Sequence, residues 1–263
     1  MTADRQTNLF PADLRQAAAN LLQRPFATVL LRQPEAKTLP TDISAAILPE
    51  VALLHAHEIS RYRHYQLAKR RGEFLAGRIC AKMALIAYGA GTGQNLVAPA
   101  ALEVANDENG RPFILTTPET GEVPQISITH GGAYAAALAA QGPCGIDLQP
   151  HKENLLRVKE KYCTAAEERR LCRFLPEMAQ VVRLALLWTA KEAAKKALAC
   201  RHMPGFLQLE LLSVKRMSAT DILTLAVAVK MAEPWPVTVD IATATYDDHG
   251  LAVCLLKKEE CYA

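Results

Sequence analysis

Charged residues gather on one predicted helix in the second half of the chain, where residues 188–196 read Trp-Thr-Ala-Lys-Glu-Ala-Ala-Lys-Lys. On a helix, Trp188, Glu192 and Lys196 follow one another at intervals of four residues along nearly one face, and Lys195 lies close by. A carboxylate is thus flanked by lysines, a set of side chains that could act in acid-base or ionic chemistry. A solvated Glu-Lys helix with a buried tryptophan has the same pattern and stays open as the alternative.

A second candidate segment is residues 145–149, which read Gly-Ile-Asp-Leu-Gln. If the segment is a strand, Asp147 and Gln149 share one face, and Ile146 and Leu148 enter the core. An acid and an amide then point the same way and could act together. The alternative is a turn-forming aspartate at a strand end.

A third segment, Ser127-Ile128-Thr129-His130, precedes a Gly-Gly turn. A catalytic triad of Ser127, His130 and Asp147 can be considered. The chain has no G-x-S-x-G sequence, however, and Ser127 lies within a predicted strand, so the pattern does not favour a hydrolase. A lone histidine at a strand end is commonly structural.

The chain also contains histidines and cysteines, which can bind metals, but their spacing predicts no metal site. His55 and His57 could begin a metal site, but no third ligand follows at suitable spacing, so we predict surface histidines. The seven cysteines are odd in number and form no C-x-x-C pair, which predicts buried or idle reduced thiols rather than a zinc site or disulfides.

The composition is that of a globular protein, with 263 residues, 50% hydrophobic and 22% charged residues, and a net charge of +3. That charge is too small to indicate nucleic acid but suits a negatively charged partner. Asp4, Arg5 and Asp13 interrupt any signal peptide, and we expect no run near the roughly 20 apolar residues of a membrane span. The predicted location is the cytoplasm.

Hydrophobic periodicity predicts the elements of the first half. The proline-rich stretch before residue 50 is predicted to be a loop, and residues 59–88 to be one long helix that ends at Gly89. The GAGTG sequence at 89–93 follows a helix and opens none, so it predicts a helix cap and loop rather than a phosphate loop. The predicted buried stripe of the helix consists of Leu75, Ile79, Met83 and Ile86.

The remaining pattern predicts short strands and two helices. Strands are expected on both sides of Gly131-Gly132 and at 144–148, and helices at 166–171 and 181–199. Three strands follow, at 223–232, 237–246 and 251–257. The predicted class is α+β, with an N-terminal subdomain at 1–143 and a C-terminal one at 144–263, each a small, mostly antiparallel sheet packed on a long helix. No sequence repeat demonstrates a duplication.

The order of these motifs resembles the 4′-phosphopantetheinyl transferases of the larger, pseudo-dimeric type. The resemblance covers roughly residues 58–198, and its most specific parts are G-I-D at 145–147 and W-x-x-K-E-x-x-x-K at 188–196. Residues 69–78, which read Lys-Arg-Arg-Gly-Glu-Phe-Leu-Ala-Gly-Arg, resemble the subgroup that serves siderophore, polyketide and peptide synthetases. The resemblance implies two similar subdomains in a pseudo-twofold arrangement, with the active site at their interface, and a monomer.

That resemblance also implies an activity. Such enzymes transfer the phosphopantetheine arm of coenzyme A to a serine of an apo acyl or peptidyl carrier protein, with magnesium as the usual metal, and release adenosine 3′,5′-bisphosphate. By match to the family's motifs, Asp147 and Glu192 hold the metal, and Glu192 could relay the serine proton. The positions that match contacts with the nucleotide or its phosphates are Arg70, Arg78, Arg111, Thr129, His130, Lys191 and Lys196.

Gln149 departs from the family's pattern, which commonly has a third acid at this position. An amide oxygen can still coordinate magnesium or hold a ligating water, but it brings no negative charge. We therefore predict a metal set of Asp147, Glu192 and Gln149 and an active enzyme.

Two other functions use the same residues. A coenzyme A or carrier-protein binder with a decayed metal site is one, although the charges at Asp147 and Glu192 argue against decay. A nucleic-acid-binding protein is the other, with the arginine-rich helix around Tyr62 and Tyr65 as its surface. The nearly even charge balance disfavours it.

Overall fold

The computed structural model describes residues 8–22, 24–35, 39, 49–94, 98–115, 123–199, 203–217, 220–230 and 237–256. The chain divides into two compact units. Unit 1 comprises residues 1–10 and 25–141, and unit 2 comprises residues 11–24 and 142–263. Residues 11–24, which the sequence analysis placed in the N-terminal subdomain, therefore group with unit 2.

Unit 1 is built on one long helix and small antiparallel sheets. Its elements are β1 (Phe26–Arg32), α2 (Ala56–His64), α3 (Ala68–Thr92), β2 (Val104–Asn106), β3 (Pro112–Ile114), β4 (Gln125–Gly131) and β5 (Tyr134–Ala140). The strands form a sheet in the order β1-β5-β4 and a separate β2-β3 pair. Helix α3 packs on β1 and β5, and the alanine-rich β5 is buried along its whole length, which lets the helix approach closely.

Unit 2 repeats this construction with a larger sheet. Its elements are α1 (Ala12–Leu22), β6 (Cys144–Pro150), α4 (Asn154–Arg157), α5 (Ala165–Phe174), α6 (Gln180–Leu198), β7 (Leu209–Arg216), β8 (Leu223–Val229), β9 (Val237–Tyr246) and β10 (His249–Leu255). The sheet is antiparallel with the order β6-β10-β9-β8-β7. Helix α6 packs on β6, β9 and β10, and α1 packs on β9 and β10.

Apart from α1 and the short α4, the two units follow the same element order: a strand, a short helix, a long helix and four strands. The first strand pairs in each unit with the last, and the last pairs with the one before it. Both units mix helices with antiparallel sheets, so the predicted α+β class is confirmed. The six predicted β segments correspond to β4, β5, β6, β8, β9 and β10. Residues 231, 232 and 257, which belong to two of these predicted segments, lie outside the described residues.

The predicted helix over 59–88 is two helices. The chain leaves helical geometry at Tyr65, whose φ and ψ are −74° and 117°, and α3 starts at Ala68. The Arg71 guanidinium donates to the carbonyls of Tyr65 and Gln66, both at 3.0 Å, and so satisfies the backbone at the break. Helix α3 also runs past Gly89 and ends at Thr92, and the next residue, Gly93, caps it with a φ of 69° that suits glycine.

The proline-rich N-terminal stretch contains regular structure that the sequence analysis missed. Pro11 precedes α1 directly and Pro25 precedes β1, positions where a proline removes no needed hydrogen bond. Strand β7 was also not predicted. In α3, Ile86 is 44% exposed and Leu85 is buried, which corrects the predicted stripe.

Among the described residues, one helix, α3, is long and apolar enough over 18 residues to cross a membrane. This corrects the expectation that the chain has no such run. Of that window, 67% is buried inside the protein, which is typical of a core helix. The described cysteines are all free thiols, as predicted: Cys80, Cys144, Cys163, Cys172 and Cys254.

Candidate functional site

The two acidic motifs of unit 2 meet where α6 lies against β6. Gly145 permits this contact, because a Cβ atom there would fall on the carbonyl oxygen of Ala193, far inside contact distance. Two residues further along the strand, Asp147 faces the same helix, and its Oδ1 accepts a hydrogen bond of 2.8 Å from Lys196 Nζ. Lys196 also donates to the Ile146 carbonyl at 2.9 Å. The glycine of G-I-D is therefore structural, and it brings the aspartate to the helix.

Glu192 lies one turn before Lys196 on the same face of α6. Its Oε1 accepts a hydrogen bond of 2.9 Å from Lys195 Nζ, and its side chain is 22% exposed. The Lys195 ammonium lies 4.0 Å from the centre of the Phe206 ring, in a cluster where Trp188 contacts both Phe206 and Tyr162. The aromatic cluster anchors the helix, and the two carboxylates each have a lysine partner.

Gln149 is on the helix-facing side of β6, as Asp147 is, and is partly buried. Ile146 and Leu148 are buried on the opposite face, at 0% and 2% exposure, as the alternation predicted. The set of Asp147, Gln149 and Glu192 offers two carboxylates and one amide oxygen, which are ligand types that magnesium prefers.

Lys191 is placed differently from the prediction. It is completely buried, its Nζ lies 2.7 Å from Glu167 Oε1, and it also donates to the carbonyls of Tyr162 and Phe206. Burial lowers the pKa of the Lys191 ammonium, and the charge of Glu167 raises it in part. This geometry does not support a contact between Lys191 and pyrophosphate, since the ammonium is enclosed in the core of unit 2.

In unit 1, three of the predicted phosphate-binding residues line one pocket of about 400 Å³. They are Arg70, Arg78 and His130. The pocket lies beside α3, and Gly110 and Pro112 of the G-R-P sequence form part of its wall, as do Phe74 and Asn106. Sequence segments from three parts of the chain therefore meet in one cationic cavity.

Arg78 is the most firmly held of these cations. Its guanidinium donates to Asn106 Oδ1 at 2.6 Å and lies 4.8 Å from the centre of the Phe74 ring. The side chain is 7% exposed, and Glu58 Oε1 lies 3.8 Å from its Nε. Burial lowers the pKa of Arg78, and Glu58 opposes this, so the guanidinium keeps its charge.

Glu73 is a pocket residue to which sequence reasoning assigned no role. Its carboxylate accepts a hydrogen bond of 3.0 Å from Arg70 and lies 3.8 Å from both Lys69 and His130. It is 12% exposed, and its single negative charge offsets part of the positive charge of Arg70 and Lys69. The signal was present in the sequence, because Glu73 lies three residues after Arg70 and four after Lys69, at the spacing of helical ion pairs.

Arg111 and Thr129 adjoin the pocket without lining it. Arg111 follows Gly110 in a tight turn held by Asp107, and its guanidinium donates to Gln125 Oε1. Thr129 is 5% exposed and, by strand alternation, faces away from Ile128 and His130. Ser127 is on the same face as Thr129, so the considered pairing of Ser127 with His130 has no geometric support.

Comparison with known proteins matches residues 143–254 to a family model described as the 4′-phosphopantetheinyl transferase superfamily. A protein of Bacillus subtilis (strain 168) named holo-[acyl-carrier-protein] synthase is 41% identical over 87 residues, which cover 32% of this chain and 69% of the relative. Proteins of the same name from Lactococcus lactis subsp. lactis (strain IL1403) and Bacillus pumilus (strain SAFR-032) are 43% and 39% identical over 86 and 114 residues.

Those matches cover 71% and 81% of the two relatives, and 32% and 43% of this chain. The matched family region contains both the G-I-D strand and the W-x-x-K-E helix of unit 2. With this share of its relatives aligned at such identity, the chain belongs to the 4′-phosphopantetheinyl transferase superfamily and is, by that membership, a phosphopantetheinyl transferase enzyme.

Proposed function

We propose that the chain transfers the 4′-phosphopantetheine arm of coenzyme A to a serine of an apo acyl carrier protein. The observation that carries this proposal is the contact of 2.8 Å between Asp147 and Lys196, with Glu192 one turn away on the same helix face. These residues lie in the family-matched region, and the named relatives are holo-[acyl-carrier-protein] synthases. The other product is adenosine 3′,5′-bisphosphate.

The pocket of unit 1 is the proposed site for the nucleotide of coenzyme A. Arg78 is fixed by Asn106 and Phe74, so it offers a preorganised charge to phosphate. Arg70 and His130 face Glu73, and we propose that a phosphate replaces this carboxylate as their partner. Arg70 is 62% exposed and so has room to make the exchange. Arg111 and Thr129 support the pocket walls in this proposal.

Asp147, Glu192 and Gln149 are the proposed ligands of magnesium. Bound there, the ion would neutralise charge on the pyrophosphate as the bond to the leaving nucleotide breaks. The two carboxylates are already balanced by Lys195 and Lys196, both within hydrogen-bond distance. Adding a dication alone would leave uncompensated charge, whereas adding it with pyrophosphate would not. We therefore propose that metal and coenzyme A bind together.

In the proposed reaction, the serine oxygen attacks the phosphorus that bears the pantetheine arm. A new P–O bond forms to serine as the bond to the bisphosphate nucleotide breaks, and the leaving phosphate takes the electron pair. The serine proton passes to Glu192, directly or through a water molecule. Lys196, released from Asp147, donates to a phosphate oxygen and stabilises the developing charge. Lys191 takes no part in this scheme.

The finer assignments rest on sequence resemblance. We propose that clients include peptidyl as well as acyl carrier domains of siderophore, polyketide or peptide synthetases, because residues 69–78 resemble that subgroup. An acidic carrier surface would suit the net charge of +3. A monomeric state, a cytoplasmic location, and a site at the interface of the two subdomains stay predictions.

Mass spectrometry of an apo carrier protein tests the activity directly. The carrier is incubated with the full chain, coenzyme A and magnesium, and we expect a gain of one phosphopantetheine mass that is lost without metal and in Asp147→Asn. Asp221→Asn is the matched control, because Asp221 is an 88% exposed acid of the same unit. No mass gain with any of several acyl and peptidyl carriers would contradict the proposal.

Glu192→Gln separates an enzyme from a coenzyme A binder. We expect turnover to fall about 10²-fold or more, as for the loss of a general base, with coenzyme A still bound. Unchanged turnover would remove Glu192 from the mechanism. Coenzyme A binding without any turnover in the unsubstituted protein would favour the non-catalytic binder, and salt-dependent retention on DNA would favour the nucleic-acid alternative.

Gln149→Glu tests the departure from the family's pattern. The added carboxylate should lower the magnesium concentration needed for half-maximal rate and leave kcat at saturating magnesium within a few-fold, because Asp147 and Glu192 already supply two acids. If the unsubstituted protein were inactive and Gln149→Glu active, the proposal that Gln149 serves the reaction would be wrong.

A further inference from the structure

Unit 1 contains a cluster of metal-ligating side chains away from the proposed nucleotide pocket. It consists of His55, His57 and Glu103, and one ligand atom from each lies within 4.8 Å of the others. Glu103 Oε2 is 2.9 Å from His57 Nδ1 and 3.6 Å from His55 Nδ1. Local spacing does not reveal the third ligand, because Glu103 is 46 residues from His57 and is brought there by the fold.

We propose that this cluster binds a first-row transition-metal dication of the zinc type. Two imidazole nitrogens and one carboxylate oxygen are ligands of zinc, cobalt and nickel, with water in the remaining position. Magnesium prefers oxygen ligands alone. The site is therefore chemically distinct from the proposed magnesium set of Asp147, Glu192 and Gln149.

A single buried carboxylate holds both ligand-bearing segments in place. Glu58 is 2% exposed, its Oε2 accepts the backbone N–H of His55 at 2.8 Å, and its Oε1 accepts that of Val104 at 3.0 Å. Lys82 Nζ lies 3.0 Å from the same carboxylate. Positions 55 and 103 are thus fixed relative to each other before any metal binds, which lowers the entropy cost of binding.

The side chains need only a small adjustment to enclose an ion. Ligand atoms about 2.0–2.1 Å from a tetrahedral zinc lie roughly 3.3 Å apart, against the present separations of up to 4.8 Å. His57 is 73% exposed, so its ring has room to rotate. His55 Nδ1 accepts a 3.3 Å hydrogen bond from the His57 backbone, which metal coordination would replace.

Unit 2 provides an internal comparison. Glu167 there plays the part of Glu58, accepting the backbone N–H groups of Thr164 and Leu211 at 2.8 Å each. The positions equivalent to His55, His57 and Glu103 are Thr164, Ala166 and Glu210, and Glu210 pairs with Lys230 at 2.6 Å. Thr164 caps α5 as His55 caps α2, so the scaffold needs a cap but not an imidazole at this position. Ala166 at the other position shows that the scaffold does not require His57.

Cobalt binding to the full chain tests the proposal. Co²⁺ is titrated into the protein in the presence of excess Mg²⁺, which occupies oxygen sites, and visible absorption and calorimetry report binding. We expect about one equivalent bound with the absorption of a nitrogen-ligated, low-coordinate ion, displaced by Zn²⁺. His57→Ala and Glu103→Gln should lose this equivalent, and far-UV circular dichroism verifies that both are folded.

His64→Ala is the matched control. It lies on the same helix as His57, is exposed, and its Nδ1 lies 2.8 Å from the Ser60 carbonyl rather than beside Glu103, so Co²⁺ binding should be unchanged. Retention of the Co²⁺ absorption in folded His57→Ala, its loss in Asp147→Asn, or no Co²⁺ binding by the unsubstituted protein would each overturn the proposal. Phosphopantetheinyl transfer is not the readout, so this site and the proposed function fail independently.

Discussion

Each of the two units contains a buried ion pair between a glutamate of its short helix and a lysine of its long helix. In each, the third residue of a short helix is a buried glutamate that completes a capping box, Glu58 in α2 and Glu167 in α5. Each pairs with a buried lysine of the long helix, Lys82 at 3.0 Å and Lys191 at 2.7 Å. In both units 24 residues separate the two partners, so the pair marks equivalent positions in the two helices.

Aligning the two long helices on their paired lysines shows which residues the shared scaffold does not require. One and five residues after the lysine, α3 has Met83 and Ala87, and α6 has Glu192 and Lys196. The first strand of each unit pairs with the last, so β1 and β6 can be aligned through their partners β5 and β10. In this alignment Val29 and Leu31 of β1 correspond to Asp147 and Gln149 of β6. Unit 1 is apolar at every proposed metal position.

The reverse holds for the cationic pocket. Arg78 of α3 corresponds to the buried Leu187 of α6, and His130 of β4 corresponds to Thr245 of β9. The same element order thus carries the cationic pocket in unit 1 and the proposed metal-binding acids in unit 2. The ion pair and the strand order belong to the fold, and the residues that differ between the two units are the candidates for function.

The largest expected effect is that of Gly145→Ala in unit 2. The added Cβ would overlap the backbone oxygen of Ala193, which cannot move without disrupting α6. We expect the free energy of unfolding to fall by about 5 kcal/mol, in the range that marks a severe structural conflict. Urea denaturation measures it.

Gly91→Ala in α3 is the matched control, because nothing lies within 4 Å of its Cβ position. Alanine is the better helix former, so this substitution should raise stability by about 0.5–1 kcal/mol. If both substitutions had similar effects, the close approach of α6 to β6 would not explain the glycine.

Lys191→Met and Lys82→Met compare the ion pairs of the two units. Each leaves a buried glutamate without its cation, and we expect a loss of about 3–5 kcal/mol in either unit, measured by urea denaturation. Adding Glu167→Gln to Lys191→Met should recover part of the loss. Lys161→Met, at an exposed position, is the control and should leave the free energy of unfolding unchanged. If only one of the two buried-lysine substitutions lowered stability, the two ion pairs would not be equivalent.

Arg78→Lys tests the pocket that only unit 1 has. Lysine lacks the planar group that lies on Phe74 while bonding Asn106, so we expect coenzyme A affinity, measured by calorimetry, to fall about tenfold. Arg70→Lys should lower coenzyme A affinity by less, since Arg70 is 62% exposed. Equal effects of the two would indicate that charge alone, and not the fixed guanidinium, binds the nucleotide.

The smallest expected effect concerns acid stability. A hydrogen bond from Lys159 lowers the pKa of Glu168 below its ordinary value of 4.5, so the carboxylate stabilises unit 2 above that pH, and this contribution is lost as pH falls through the lowered pKa. Ile59 stands at the equivalent position in unit 1. Lys159→Met should therefore reduce stability at pH 7 and have no effect well below pH 4, as thermal melts would show.

Lys152→Met, at an exposed position nearby, is the control and should leave the melting temperature unchanged at both pH values. A Lys159→Met deficit that persisted at the lowest pH would mean that the lysine acts through packing rather than through the charge of Glu168.

Local sequence patterns predicted the elements that are long or that are bounded by clear turn residues. The helix of residues 181–199 and the hairpin at Gly131-Gly132 are confirmed to within a residue or two, because their periodicity and turn residues act over short distances. The N-terminal helix and strand were missed because their prolines lie at the element starts, where proline is harmless, and not inside them.

Residue types and spacing along the chain identified Asp147, Glu192 and His130 as candidates, and the resemblance to the family added Arg78. Tertiary structure alone decided that Lys191 is enclosed with Glu167, that Glu73 faces the pocket cations, and that Glu103 meets two histidines. The physical reason is the distance along the chain over which each effect acts. Helix and strand periodicity act between neighbours in sequence, whereas burial and ion pairing depend on which distant segment the fold places alongside.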